Sequence, residues 1–351
     1  VIYSLARIYQ GMNHKQVMVI VPTTSLVEQM YKDFDDYAQD VGWTSEDNCH
    51  RIYSGKDKNT DKPIIITTWQ SIYNLPKSFF ENIGMVIGDE AHNFKAKSLI
   101  KIMTKLVNCE YRIGTTGTLD DKKVHKLQME GLFGPVYEVT TTRELMDRDF
   151  LAKLSIKCVI LQYPEKHRKL VKEMDYQGEI KYLISSKERN RKIVELVNSL
   201  KGNTLVLYQL VENHGEVLYE MFLEDNQNPV SFIHGGINPT ERERIREETE
   251  KLSDSIIVAS YGTFSTGVNI RNLHNIVFAS PSKSRVRNLQ SIGRGLRKSD
   301  EKTEAILYDV VDDLSTGDYL NYTMKHYLAR LDIYDEQRFD YSQSKIALTN
   351  E

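Results

Sequence analysis

Nine short runs of β-branched and aliphatic residues, set apart by helix-length intervals, confine this 351-residue chain to α/β folds with parallel sheets. The first four are VMVIV (17–21), IIIT (64–67), MVIG (85–88) and YRIGTT (111–116). The other five are TLVLY (204–208), VSFI (230–233), IIVA (256–259), IVFA (276–279) and AILYD (305–309). Runs this apolar belong to strands covered on both faces, and the intervals are long enough to supply covering helices. Two series imply two sheets in tandem, and the length suits two domains of roughly 150 residues. We place the division near Phe150, giving domains over 1–149 and 150–351. Between the series, residues 154–161 alternate as a half-buried strand does, and the charge-dense stretch 165–181 reads as a surface excursion of the second domain. From about residue 314 the pattern turns helical, with Tyr319, Tyr322, Met324, Tyr327, Leu328 and Leu331 forming an apolar stripe.

Hydrophobic residues at 40% and charged ones at 27% exclude a disordered chain. No apolar run approaches the ~20 residues of a membrane span, so no membrane partner is expected. Cys49, Cys109 and Cys158 form no C-x-x-C pair, which argues against a disulfide framework or zinc site and for a reducing cytoplasm. His14, His50, His125, His167, His214, His274 and His326 lack metal-ligand spacing and are assigned no role. The net charge of −3 hides an uneven distribution. Residues 255–299 contain no Asp or Glu but hold Arg271, Lys283, Arg285, Arg287, Arg294, Arg297 and Lys298, a basic stripe suited to an anion.

Chemistry concentrates where strands end. In VIGDEAH (86–92) two carboxylates follow an apolar strand directly, at the edge where open α/β sheets hold ligands. There Asp89 can hold Mg²⁺ through water and Glu90 can orient the attacking water of a phosphoryl transfer; an isolated pair would read as a solvated acidic loop. In QSIGRGLR (290–297) Arg294 and Arg297 stand three apart, on one face if the segment is helical, and could clamp a terminal phosphate. A basic surface helix is the plainer reading, against which Gly293 and Gly295 point to close backbone approach. VPTTSLVEQ (21–29), TTWQS (67–71) and ASYGTFSTGVNI (259–270) share one form, a strand ending in a hydroxyl-rich turn that opens a helix. Three such turns could track a sugar-phosphate backbone, although helix capping explains each one separately.

In chain order, PTTSLVEQ, TTWQS, DEAH, the TGT of 116–118, SYGTFSTG and QSIGRGLR resemble motifs Ia, Ib, II, III, V and VI of superfamily 2 helicases, over about residues 17–298. DEAH, VASYGTFSTGV, GRGLRK and HGGINPTERERIREE (234–248) are most similar to the UvsW helicases of T-even-like bacteriophages. The resemblance implies two tandem RecA-like domains with mostly parallel sheets, and ATP and Mg²⁺ as cofactors. By the same resemblance Asp89 holds Mg²⁺, Glu90 activates water, and His92 couples the ATP site to Thr116, Gly117 and Thr118. Gln290, Arg294 and Arg297 would lie near the γ-phosphate, and Gly267 and Asn269 at the nucleotide. Pro22, Thr23, Thr68, Gln70, Ser260, Thr263 and Thr266 would line nucleic acid. The implied protein is a monomeric ATP-dependent motor on single-stranded and branched DNA. It would remodel forks and junctions in recombination and repair, in the host cytoplasm if phage-encoded.

The sequence departs from that family in one respect: it contains no G-x-x-x-x-G-K-[ST], the loop that cradles phosphates. Residues 1–10, with Ile2, Leu5, Ala6 and Ile8 as an apolar face, match the helix that follows this loop in the family. The resemblance therefore implies a chain cut just after the loop, a first domain without its P-loop strand, and negligible ATP hydrolysis by these 351 residues. Two other readings stay open. One is a restriction-system translocase subunit, although no P-D…[DE]-x-K nuclease constellation is evident. The other is a nucleic-acid-binding protein without hydrolysis.

Overall fold

The computed structural model describes residues 1–12, 15–39, 41–117, 123–225, 228–267, 270, 272–280, 284–296 and 302–349. They form two compact units, Val1–Tyr137 and Glu138–Glu351. This division lies ahead of Phe150. The helix Thr142–Asp147, opened by a Thr141/Glu144 capping box, buries Met146 in the core of the second unit, so residues 138–149 belong there.

The first unit is a five-stranded sheet of β1 (Gln16–Val21), β2 (Cys49–Ile52), β3 (Ile64–Thr68), β4 (Ile83–Gly88) and β5 (Tyr111–Gly114). The order is β2-β3-β1-β4-β5, and every pairing is parallel. All six residues of β1 are buried. Val17, Val19 and Val21 enter one core cluster with Ala6, Val27 and Phe34, while Met18 and Ile20 enter the opposite one with Val86, Phe80 and Ile102. The two-residue period of a strand divides its side chains between two helical layers in this way.

The second unit is a seven-stranded sheet of β6 (Lys153–Gln162), β7 (Thr204–Tyr208), β8 (Val230–Ile233), β9 (Ile256–Ser260), β10 (Asn275–Phe278), β11 (Glu304–Asp313) and β12 (Asp340–Ala347). Its order is β12-β6-β11-β10-β7-β9-β8, again parallel throughout. Three features depart from the sequence reading. Residues 165–181 lie largely at the surface but are regular rather than an excursion: they form the helix Glu165–Lys172 and most of the helix Tyr176–Ser185, whose Glu179 is fully buried. That carboxylate accepts from the backbone N–H groups of Tyr322 and Thr323 and thereby caps the helix Tyr322–Glu336. The tail is not helical from residue 314, since that helix begins only at Tyr322 and is followed by the edge strand β12.

The expected strand AILYD continues four residues further, to Asp313, because its acidic residues are paired inside the fold. Asp309 receives Arg330 at 2.8 Å and the Tyr334 hydroxyl at 2.9 Å. Asp312 receives Arg189 at 2.7 and 2.9 Å and the Tyr163 hydroxyl at 2.9 Å. Three residues apart on a strand, the two carboxylates face opposite layers, so each ties a different helix to the sheet.

Candidate active site

The switch point of the first sheet sets the site. β3 and β4 flank β1, and ligands of open α/β sheets bind where the carboxyl ends of such strands diverge. β4 ends at Gly88 and Asp89 follows at once, its N–H donating to the Ile20 carbonyl of β1 at 2.9 Å. Glu90 then adopts the left-handed conformation (φ 48°, ψ 53°), which costs a non-glycine residue on the order of 1–3 kcal/mol. The turn delivers Ala91 to β5: Thr115 N–H donates to Gly88 O, and Ala91 N–H to Thr115 O, both at 2.9 Å.

Close approach here requires glycine. A Cβ on Gly88 would stand 2.5 Å from the Phe94 ring, and one on Gly114 2.9 Å from the Ala91 Cβ.

The side chains knit the two strand ends together. Asp89 Oδ1 accepts from Glu90 N–H at 3.0 Å and from the Thr115 hydroxyl at 3.1 Å; Oδ2 takes neither bond. His92 Nδ1 shares a 3.0 Å hydrogen bond with Thr116 Oγ1 and lies 3.3 Å from Glu90 Oε2. The Glu90 and His92 side chains are 30% and 13% exposed, so the Glu90 side chain reaches solvent while its Oε2, beside the held imidazole, is buried. One half-exposed carboxylate with a fixed partner set fits Mg²⁺ bound through water, since this ion keeps several waters and needs only one or two protein carboxylates when phosphates supply the rest.

Asp89, Glu90, His92 and Thr116 are thus brought together, with Gly117 in the bend that follows. Thr118 lies outside the described residues. Thr115, which holds Asp89 directly, escaped the sequence reading; its signal is the doubled Thr that closes the β5 run.

The hydroxyl-rich turns form as expected, and most of their hydroxyls have local partners. Thr23 caps the helix Thr24–Tyr37, accepting from Leu26 N–H at 3.3 Å, with Pro22 half-buried before it. Thr68, at the end of β3, pairs with Ser71 Oγ at 2.9 Å, and Gln70 is exposed. Ser260, at the end of β9, pairs with Thr263 Oγ1 at 2.8 Å and accepts from Thr263 N–H. Thr266 and Gly267 close the helix Tyr261–Gly267, and Asn269 lies outside the described residues.

Gln290 and Arg294 lie on the helix Arg285–Gly295. The helix ends before Arg297, which is outside the described residues. The close approach read from the glycines is internal at Gly295, where a Cβ would meet Ile276 Cδ1 of β10 at 2.1 Å and Cγ1 at 3.0 Å; Gly293 has open space around it.

Known proteins resemble both units. Residues 1–121 match the Type III restriction enzyme res subunit family, and residues 188–299 the helicase conserved C-terminal domain. Across 98% of its length the chain is 33% identical to ATP-dependent DNA helicase UvsW of Enterobacteria phage T4, covering 71% of that protein. The chain belongs to the UvsW family of superfamily 2 helicases. The crystal structure of T4 UvsW aligns with 99% of the chain and 71% of its own at 31% identity and a TM-score of 0.50. The DNA-bound Type ISP restriction-modification enzyme LlaBIII reaches a TM-score of 0.66 over 99% of the chain and 29% of its own; at 16% identity this likeness is one of fold. Both units are RecA-like, in a family of ATP-dependent helicases. Among the described residues, no helix is long and apolar enough to cross a membrane.

Proposed function

We propose that the chain is the motor region of an ATP-dependent DNA helicase or translocase that remodels forks and junctions during phage recombination and repair, as a monomer in the host cytoplasm. The observation that carries the hydrolytic part is the linkage of Asp89, Glu90, His92 and Thr116 at adjoining strand ends. Bound Mg²⁺ would neutralise charge on the phosphate oxygens. Asp89, fixed by Thr115, would hold that ion through water, and Glu90 would orient the attacking water and accept its proton. His92 transmits the state of Glu90 to Thr116, and Gln290, Arg294 and Arg297 meet the γ-phosphate. Gly267 and Asn269 contact nucleotide, while the turns at Pro22, Thr23, Thr68, Gln70, Ser260, Thr263 and Thr266 follow the DNA strand.

The likeness to the DNA helicase UvsW supports DNA as substrate. The test uses the full-length gene product, measuring ATP turnover with single-stranded, forked and four-way DNA and with RNA, together with fork regression. Stimulation by forks with regression is expected; stimulation by RNA alone would sink the DNA assignment. The res-subunit match over 1–121 favours a restriction translocase as second reading. That reading requires translocation that starts from a recognition sequence, so turnover on any fork whatever its sequence removes it.

A further inference from the structure

The helix Arg285–Gly295 ends inside the second unit, where its last carbonyls need partners from elsewhere in the chain. The fold supplies them from two places. Leu296 O accepts from Ala152 N–H at 2.9 Å, just ahead of β6, and Gly295 O accepts from the Lys302 ammonium. Lys302 is 1% exposed, and Ala152 and Leu296 are fully buried. The next residue is held as well, since Thr303 O accepts from Lys153 N–H at 3.0 Å. The inner face of the helix is packed by Asn288, Ser291 and Ile292, and Gly295 leaves no room for a Cβ against Ile276.

An amine buried this deeply carries a large desolvation cost, and burial lowers the Lys302 pKa to about 8, with Glu250 acting in the opposite direction. A cation at a helix C-terminus is favoured by the carbonyl dipoles, which offset part of that cost. An aliphatic side chain would avoid the cost altogether, so a buried lysine here needs a reason beyond filling space.

We propose that Lys302 is a positioning residue for ATP hydrolysis: it clasps the last carbonyl of the helix that carries Gln290 and Arg294, and so fixes the backbone from which those side chains leave. This rests on the reading of that helix as the arginine-bearing element of the ATPase. Lys302 touches no substrate. Its effect is geometric, in a reaction where misplacement by about 1 Å is felt as an order of magnitude or more in rate.

The test compares Lys302→Met, Lys302→Arg and Arg294→Ala in the full-length gene product. Lys302→Met is expected to lower DNA-stimulated kcat about 10-fold while KM for ATP and DNA affinity stay within about 2-fold, and Lys302→Arg, which keeps a donor, to restore kcat to within about 3-fold of wild type. Wild-type kcat in Lys302→Met beside an inactive Arg294→Ala overturns the clasp and leaves the arginine helix standing. Full turnover in Arg294→Ala instead removes the reading on which the clasp rests. Should Lys302→Met fail to fold, amide exchange in the unsubstituted protein decides: the amides of Ile292–Leu296 should exchange as slowly as that of Asn288, and fast exchange there overturns the proposal.

Discussion

Glu90 combines backbone strain with the proposed role of orienting the attacking water. Its left-handed backbone turns the chain from β4 toward β5, and its side chain lies where water can reach it. Glu90→Gln in the full-length gene product is therefore expected to lower kcat by about 10²-fold or more with KM for ATP nearly unchanged, because proton transfer is lost and binding is not. Equal losses in kcat and ATP affinity would place Glu90 in binding instead. A different residue governs acid stability. His214 is fully buried, and burial together with Arg189 lowers its pKa from 6.5 to about 3, so the folded state keeps it neutral while the unfolded chain takes up a proton below 6.5. Stability should thus fall progressively from about pH 6.5 toward pH 3, by on the order of 4 kcal/mol in all. Urea midpoints across that window should slope less in His214→Gln; identical slopes would refute the assignment. Of these residues the carboxylates were legible, since a strand ending in Asp-Glu-Ala-His is a local pattern. Thr115 and His214 were not, because their partners, Asp89 and Ser280, lie far along the chain.

Strands reveal themselves in sequence when they are apolar, and that condition separates the elements that could be read from those that could not. β1, β3, β7 and β9 are short buried runs. β2 carries His50 and Arg51 at a sheet edge, and β12 is exposed along its whole length, so neither has a hydrophobic signature; pairing to β3 and to β6 makes them strands. β11 misleads differently, because Asp309 and Asp312 look like the end of a strand and are its interior. Their pairs bind helices to sheet, and breaking one leaves a buried charge alone. Asp309→Asn is expected to cost about 3–5 kcal/mol in chemical denaturation, whereas Asp309→Leu combined with Arg330→Met should recover most of that loss. A cost below about 1 kcal/mol for the single change would show that the pair contributes little.

At the scale of the molecule, the 351 residues carry the carboxylate and arginine segments proposed to act in ATP hydrolysis but no G-K-[ST] loop. They should hydrolyse ATP negligibly by themselves, with or without DNA; a DNA-stimulated rate near that of an intact helicase would contradict this. The order of the second sheet has a separate consequence, for synthesis. β6 is the first strand of its unit to leave the ribosome, yet its two neighbours are β11 and β12, the last two made. The first unit can close as soon as residue 137 is free, while β6 waits with both edges unpaired for the time needed to translate about 140 further residues, on the order of ten seconds. During that interval two rows of amide and carbonyl groups beside an apolar run are open to other nascent chains. Recovery of native protein from overexpression or refolding should therefore be limited by the second unit, and deletion of residues 340–347, which leaves one edge of β6 unpaired, should send the product into aggregates.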